Sequence, residues 1–171
     1  MDIKKFIRDI PDFPKPGIIF KDITPLLLDP DAFGWTIEAL ARGFAWDRID
    51  KVASVEARGF IFGAGVARYL KVGFIPIRKP GKLPYQTIAE EYELEYGTDR
   101  LEIHTDAVKA GEGILIIDDL LATGGTALAT AHLVEKLGGR VVGIGFVIEL
   151  AFLKGREKLK DYKIHTLIKF T

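Results

Sequence analysis

The chain has 171 residues, 48% of them hydrophobic, which suits one compact domain with enough apolar surface for a core. Lys plus Arg and Asp plus Glu both number 24, so the basic excess of a nucleic-acid binder is missing. Cysteine is absent, which excludes disulfides, zinc ribbons and thiol nucleophiles and permits a cytoplasmic location.

Residues 2–8 read as a short helix, charged and without the apolar core of a secretory signal. Residues 9–17 hold three prolines and a glycine and should be extended and turning. After a Pro-Asp start, Phe33, Ile37, Leu40, Ala41 and Phe44 fall at helical spacing over 31–44. A βα rhythm follows. Strands are expected at 51–55, 74–77, 113–117, 141–148 and 164–170, and helices at 60–70, 126–137 and 153–160. Short apolar strands alternating with helices predict an α/β fold, a mostly parallel central sheet flanked by helices. Residues 92–96 break the rhythm by alternating polar with apolar or aromatic side chains. Gly97-Thr98 and a second alternating run to His104 complete a hairpin signal. An excursion between two core strands suits a lid. Charges interrupt every apolar run, so no membrane span is expected.

The strongest signal is an apolar run, Ile114-Leu115-Ile116-Ile117, leading into Asp118-Asp119 and then Leu120-Leu121-Ala122-Thr123-Gly124-Gly125-Thr126. In a parallel sheet, ligands bind where strand C-termini meet helix N-termini. Backbone N–H groups of such a loop, with the Thr123 and Thr126 hydroxyls, suit a phosphate dianion. Two adjacent carboxylates suit ribose hydroxyls, directly or through a cation. Donors and acceptors this close point to a sugar phosphate. No lysine follows the loop glycines, so a Walker loop is excluded. A helix cap explains one aspartate but not the pair.

This run resembles the phosphoribosyl pyrophosphate (PRPP) motif of type I phosphoribosyltransferases. The resemblance implies that fold, with a β-hairpin lid and an N-terminal base-binding hood. It implies that Asp118 and Asp119 address the ribose, while Ala122, Thr123, Gly124, Gly125 and Thr126 cradle the 5′-phosphate. Further segments resemble the adenine phosphoribosyltransferases: 13–23, Glu56-Ala57-Arg58-Gly59-Phe60, 78–84, 92–97, and Glu149-Leu150 with Lys154-Gly155-Arg156-Glu157. What they imply is a transferase of purine salvage acting on adenine and PRPP and yielding AMP and pyrophosphate. The resemblance further implies Mg²⁺ held mainly by PRPP and water near Asp118 and Asp119, a homodimer in the cytoplasm, and neither nucleic acid nor membrane as partner. The chain is expected to be a single domain, with 1–30 as the hood and about 84–106 as the lid.

Residue roles follow from the same resemblance. Arg58 forks onto pyrophosphate oxygens and serves catalysis. The family's non-proline cis peptide falls between Glu56 and Ala57, and Ala57 stands where relatives carry serine. Arg78, Lys79 and Lys82 bind pyrophosphate, with Arg78 a candidate to reach a neighbouring subunit; Pro80 replaces a further basic residue. Taken alone, those charges read equally as a solvated run. Ile19, Phe20, Lys21 and Leu150 form the adenine site, Phe20 by stacking and Ile19 and Lys21 through backbone groups. Phe20 alone would pass for core. In the lid, Glu95 is the catalytic acid–base residue and Tyr96 its neighbour; the plain alternative for Glu95 is the polar face of a strand. His104, His132 and His165 lack partners for a metal site, Trp35 and Trp46 suit core or interface, and 154–160 reads as a solvated helix. Two rivals remain open: a phosphoribosyltransferase for another purine, and a PRPP-sensing regulator. The 19–21 and 94–97 segments oppose the first. Chain length and balanced charge oppose a DNA-binding regulator.

Overall fold

A computed structural model describes residues 1–93 and 97–171. Its centre is a five-stranded, wholly parallel sheet in the order β4-β3-β7-β8-β9, formed by β3 (Lys51–Val55), β4 (Gly73–Ile77), β7 (Gly113–Leu121), β8 (Arg140–Leu150) and β9 (Ile164–Phe170). The expected α/β class and all five core strands are present. Both faces of the sheet are covered, which is why its strands are nearly continuous apolar runs. Along β7, Leu115 and Ile117 face one core with Phe62, Leu40 and Val52. Ile114 and Ile116 face the other with Ala131, Leu133 and Phe146.

The first face carries α2 (Pro30–Arg42) and α3 (Arg58–Leu70). The start of α2 is set by Asp29, whose side chain accepts a hydrogen bond from Ala32 N at 2.8 Å, with Pro30 filling the first helical position. The second face carries α4 (Gly125–Lys136) and the antiparallel hairpin β5 (Thr87–Glu93) and β6 (Thr98–His104). That hairpin is anchored at its base. Leu101 and Ile103 are buried in the core, and Glu90 pairs with Lys136 and His132 of α4.

The N-terminal segment departs most from expectation. The helix at 2–8 is a single 3₁₀ turn, Ile3–Phe6. Arg8 is instead extended in β1 (Arg8–Ile10), antiparallel to β2 (Phe20–Asp22), because its guanidinium reaches Asp22 across the pair at 2.7 Å. Asp22 also accepts from the Thr24 hydroxyl and backbone N–H at the start of α1 (Thr24–Leu28). Those Thr24 bonds and Arg8 lower the Asp22 pKa to about 2. The helix at 153–160 is also shorter: a 3₁₀ turn over Ala151–Leu153, then one turn of α5 (Gly155–Lys158). Trp46 lies fully exposed, so it is not a core residue. His132 faces Glu90, and His104 Nε2 accepts from Tyr85 N. No described helix is long and apolar enough to cross a membrane.

Candidate active site

Chain connections diverge between β3 and β7. From β3 the chain passes through α3 to β4 on one side; from β7 it passes through α4 to β8 on the other. The C-terminal edge at such a point opens a crevice where α/β proteins bind ligands. Here the loop after β3 carries Glu56, Ala57 and Arg58. The loop after β7 carries Ala122, Thr123 and Gly124.

The second loop rims a hollow of about 80 Å³ with Asp118 and Phe146 in its wall. No side chain caps the N-terminus of α4; its N-cap, Gly124, sits at φ +83°. The first N–H groups of α4 therefore lack an internal side-chain partner and face an anion-sized space. Only glycine takes this loop's shape without penalty. A Cβ on Gly124 would stand 2.6 Å from the Gly155 carbonyl oxygen.

Asp118 and Asp119 do not lie in the loop. Strand β7 runs on past Ile117 to Leu121, because β8 continues alongside it and pairs Asp118 with Phe146 and Leu121 with Glu149. Both carboxylates are therefore held by a sheet ladder. Asp118 Oδ1 accepts from Asp119 N at 2.9 Å. Asp119 is 6% exposed, and its Oδ2 has no hydrogen-bond partner of good geometry, although Arg58 Nε approaches it to 2.8 Å. Burial, and then the Asp119 charge, push Asp118 well above the usual carboxylate range. Burial also raises Asp119, with Arg58 opposing. One buried and one half-buried carboxylate beside one guanidinium leave unmet demand for a cation or for hydroxyl donors, which is the chemistry of a sugar diol with a divalent ion.

Arg58 joins three parts of the site. It starts α3, contacts Asp119, and lays its guanidinium 4.9 Å from the ring centre of Phe20 in the hood. Phe20 is thus brought to the same crevice, steadied by an edge contact with Phe13 at 5.2 Å. Exposed Ile19 stands next to it. The Lys21 ammonium is engaged elsewhere, with Asp9 at 2.6 Å and above the Phe170 ring. Leu150 ends β8.

The basic group sits at the adjoining edge, gathered around Glu56. Arg78 reaches the Glu56 carboxylate at 2.9 Å, and Lys79 N donates to it at 2.6 Å. The Lys79 bond, then Arg78 and Lys82, hold Glu56 below the usual carboxylate range in spite of its burial. The Lys79 ammonium pairs with Asp99 of the hairpin at 2.8 Å. The peptide between Glu56 and Ala57 is cis. Glu95 and Tyr96 lie outside the described residues. Glu93 and Tyr92 reach the start of α4: a Cβ on Gly125 would meet Glu93 O at 3.2 Å and the Tyr92 ring at 3.3 Å.

Three contributors were given no role of their own by sequence reasoning. Glu56 organises the basic edge, and Tyr92 contacts the phosphate loop. Gly59 makes room for an aspartate, since a Cβ there would stand 2.5 Å from Asp118 Oδ1. All three lie in segments quoted for the family resemblance, but their partners across the fold left no trace in the sequence.

Fold and site together define a phosphoribosyltransferase, and the family model described as "Phosphoribosyl transferase domain" matches residues 33–170. The adenine phosphoribosyltransferase of Maridesulfovibrio salexigens is 59% identical over 168 residues, covering 98% of this chain and 99% of that one. The crystal structure of the Thermoanaerobacter pseudethanolicus enzyme of the same name superposes with a TM-score of 0.97 at 60% identity, covering 99% and 98% of the two chains. The Saccharomyces cerevisiae enzyme, complexed with an imino-altritol bisphosphate and adenine, matches with a TM-score of 0.92 at 42% identity, covering 97% and 96%. The chain belongs to the adenine phosphoribosyltransferases.

Proposed function

We propose that the chain joins adenine to the ribose 5-phosphate of PRPP, releasing pyrophosphate and forming AMP in purine salvage. The observation that carries this is the convergence of Arg58, the Asp118–Asp119 pair and the open N-terminus of α4 on one crevice. The 5′-phosphate sits on the backbone of 122–126, with the Thr123 and Thr126 hydroxyls. The ribose hydroxyls lie over Asp118 and Asp119. The Asp119 oxygen, met by Arg58 without a well-formed hydrogen bond, and a pair of carboxylates facing one guanidinium fit Mg²⁺ held mainly by substrate oxygens and water. When bound, Mg²⁺ neutralises charge on the pyrophosphate.

The chain's own groups do the rest. C1′ gains positive charge as pyrophosphate leaves, and the two carboxylates lie where that charge develops. Arg58, Ala57, Arg78, Lys79 and Lys82 receive the pyrophosphate. For this, Arg58 gives up Asp119, and Lys79 gives up Asp99. Phe20 and Leu150 enclose adenine, whose edge is read by backbone groups of Ile19 and Lys21. A backbone donor–acceptor pair favours a 6-amino over a 6-oxo purine, because the wrong purine leaves a polar group unpaired. Glu95, from its place in Leu94-Glu95-Tyr96-Gly97, supplies the proton or hydrogen bond that the purine needs as N9 attacks. Tyr96 belongs to the same lid motif.

On this reading residues 1–171 form one domain with a hood at 1–30 and a lid within 84–106. The protein works as a cytoplasmic homodimer, with exposed apolar residues such as Leu28, Ile61 and Tyr69 available to an interface. Purified protein should form AMP from adenine and PRPP, followed by absorbance, and discriminate against guanine, hypoxanthine and xanthine. Asp118→Asn with Asp119→Asn should abolish turnover with the fold intact; full activity in that variant would refute the ribose role.

A further inference from the structure

Arg156 lies at the surface, with its guanidinium folded back onto β8 and β9. Expected on a solvated helix, it donates from Nε to Glu149 Oε1 at 2.8 Å and from Nη2 to Thr166 Oγ1 at 3.2 Å. The Thr166 hydroxyl donates to Glu149 Oε2 at 3.0 Å, which closes a three-membered ring of hydrogen bonds. Glu149 is 3% exposed. The ring ties together the end of β8, the single turn of α5 and β9. A carboxylate this buried exists only when paired, so its geometry is strongly constrained.

That geometry bears on the phosphate loop. Arg156 follows Gly155, whose backbone lies directly against the loop. A Cβ on Gly155 would meet Gly124 N at 3.1 Å, and a Cβ on Gly124 would meet the Gly155 carbonyl oxygen at 2.6 Å. Glu149 also stands beside Leu121 in the β7–β8 ladder, one residue before the loop begins. The loop is thus flanked on two sides, by the Gly155 backbone next to the Glu149–Arg156 pair and by the β7–β8 ladder at Leu121. Four residues of α5 are too few to hold their own place by helix formation.

We propose that Glu149 is a positioning residue for the sugar phosphate. Through Arg156 it clamps the Gly155 backbone against residues 122–124 and so presets the N–H groups that receive the 5′-phosphate. This rests on the assignment of 122–126 as the PRPP phosphate site. Neither Glu149 nor Arg156 touches substrate, and their effect falls on PRPP binding.

Glu149→Gln keeps the side chain's shape and removes its charge. It should raise the KM for PRPP about tenfold, equivalent to about 1.4 kcal/mol, leaving the adenine KM and kcat within about twofold. Arg156→Lys keeps a cation for Glu149 but cannot serve Thr166 with the same fork, so its PRPP KM should be intermediate. A purely structural role would lower the melting temperature and the active fraction and leave both KM values unchanged, and that result in Glu149→Gln would overturn the proposal. Should Glu149→Gln fail to fold, Thr166→Val tests the same ring with the ion pair kept. A rise of about threefold in PRPP KM is expected there, and no rise refutes the inference. If the wild-type protein makes no AMP from PRPP, the proposed function falls and this inference with it. An active wild type alongside a native PRPP KM in the variants removes the inference alone.

Discussion

Gly124→Ala is the sharpest perturbation of the phosphate loop. Gly124 sits at φ +83°, and a Cβ there would stand 2.6 Å from the Gly155 carbonyl oxygen. The left-handed conformation costs a residue with a Cβ about 1–2 kcal/mol. The contact adds to this, since ordinary separation requires one of two backbones to retreat by roughly 0.6–0.8 Å. In a chain of this length that lowers Tm by about 2–8 °C. The retreat also moves the loop's N–H groups away from the 5′-phosphate. A hydrogen bond to a charged group is worth about 1.5–3 kcal/mol, so losing one raises the PRPP KM roughly ten- to hundredfold. Phosphate contacts are shared by ground state and transition state, so kcat should move much less. Gly138→Ala is the control. Gly138 has φ +86°, but a Cβ there meets only Ala110 at 3.4 Å, past the far end of α4. It should lose comparable Tm and keep the native PRPP KM. Initial rates against PRPP concentration, with thermal melts of both variants, decide the matter. A native PRPP KM in Gly124→Ala, or an equal rise in Gly138→Ala, would refute the reasoning.

Further changes probe other parts of the site. Asp118 has a folded-state pKa raised above its unfolded value, so its ionisation weakens the apo protein as pH climbs through that raised value. Asp118→Asn should therefore melt higher than wild type at neutral pH, by about 2–4 °C for each kcal/mol relieved. The gain should vanish only in acid below the ordinary carboxylate range, where the unfolded chain is protonated as well; a pH-independent difference would contradict the argument. Glu95→Gln should lower kcat by about 10²–10⁴-fold with little change in PRPP affinity, and an unchanged kcat would return Glu95 to a structural role. Phe20→Ala should raise the adenine KM about three- to tenfold through lost stacking, with the PRPP KM unaltered. Equal effects on both substrates would place Phe20 in the framework of the site.

Much of this protein is local chemistry written along the chain. Buried strands need unbroken apolar runs, and those at 51–55 and 164–170 begin and end where the sequence pattern does. The phosphate loop is likewise a local object, since glycines after an apolar strand and before a helix determine a tight turn and an exposed helix N-terminus. The hairpin shows in two-residue alternation around Gly97. Other features depend on partners distant in sequence. The strand carrying Asp118 and Asp119 runs four residues past its apolar run, because β8 supplies a ladder for it. Helix α1 has five residues, too few to show a helical period, and depends on Asp22 and Thr24 for its start. Arg58 meets an aspartate 61 positions away, Arg78 and Lys79 gather on Glu56, and Arg156 reaches back to Glu149. A charged side chain's partner is a matter of three-dimensional distance and burial, and no periodicity along one chain encodes it. The sequence by itself determined the layered sheet and the phosphate loop. Only the tertiary structure decided which charges meet in the crevice.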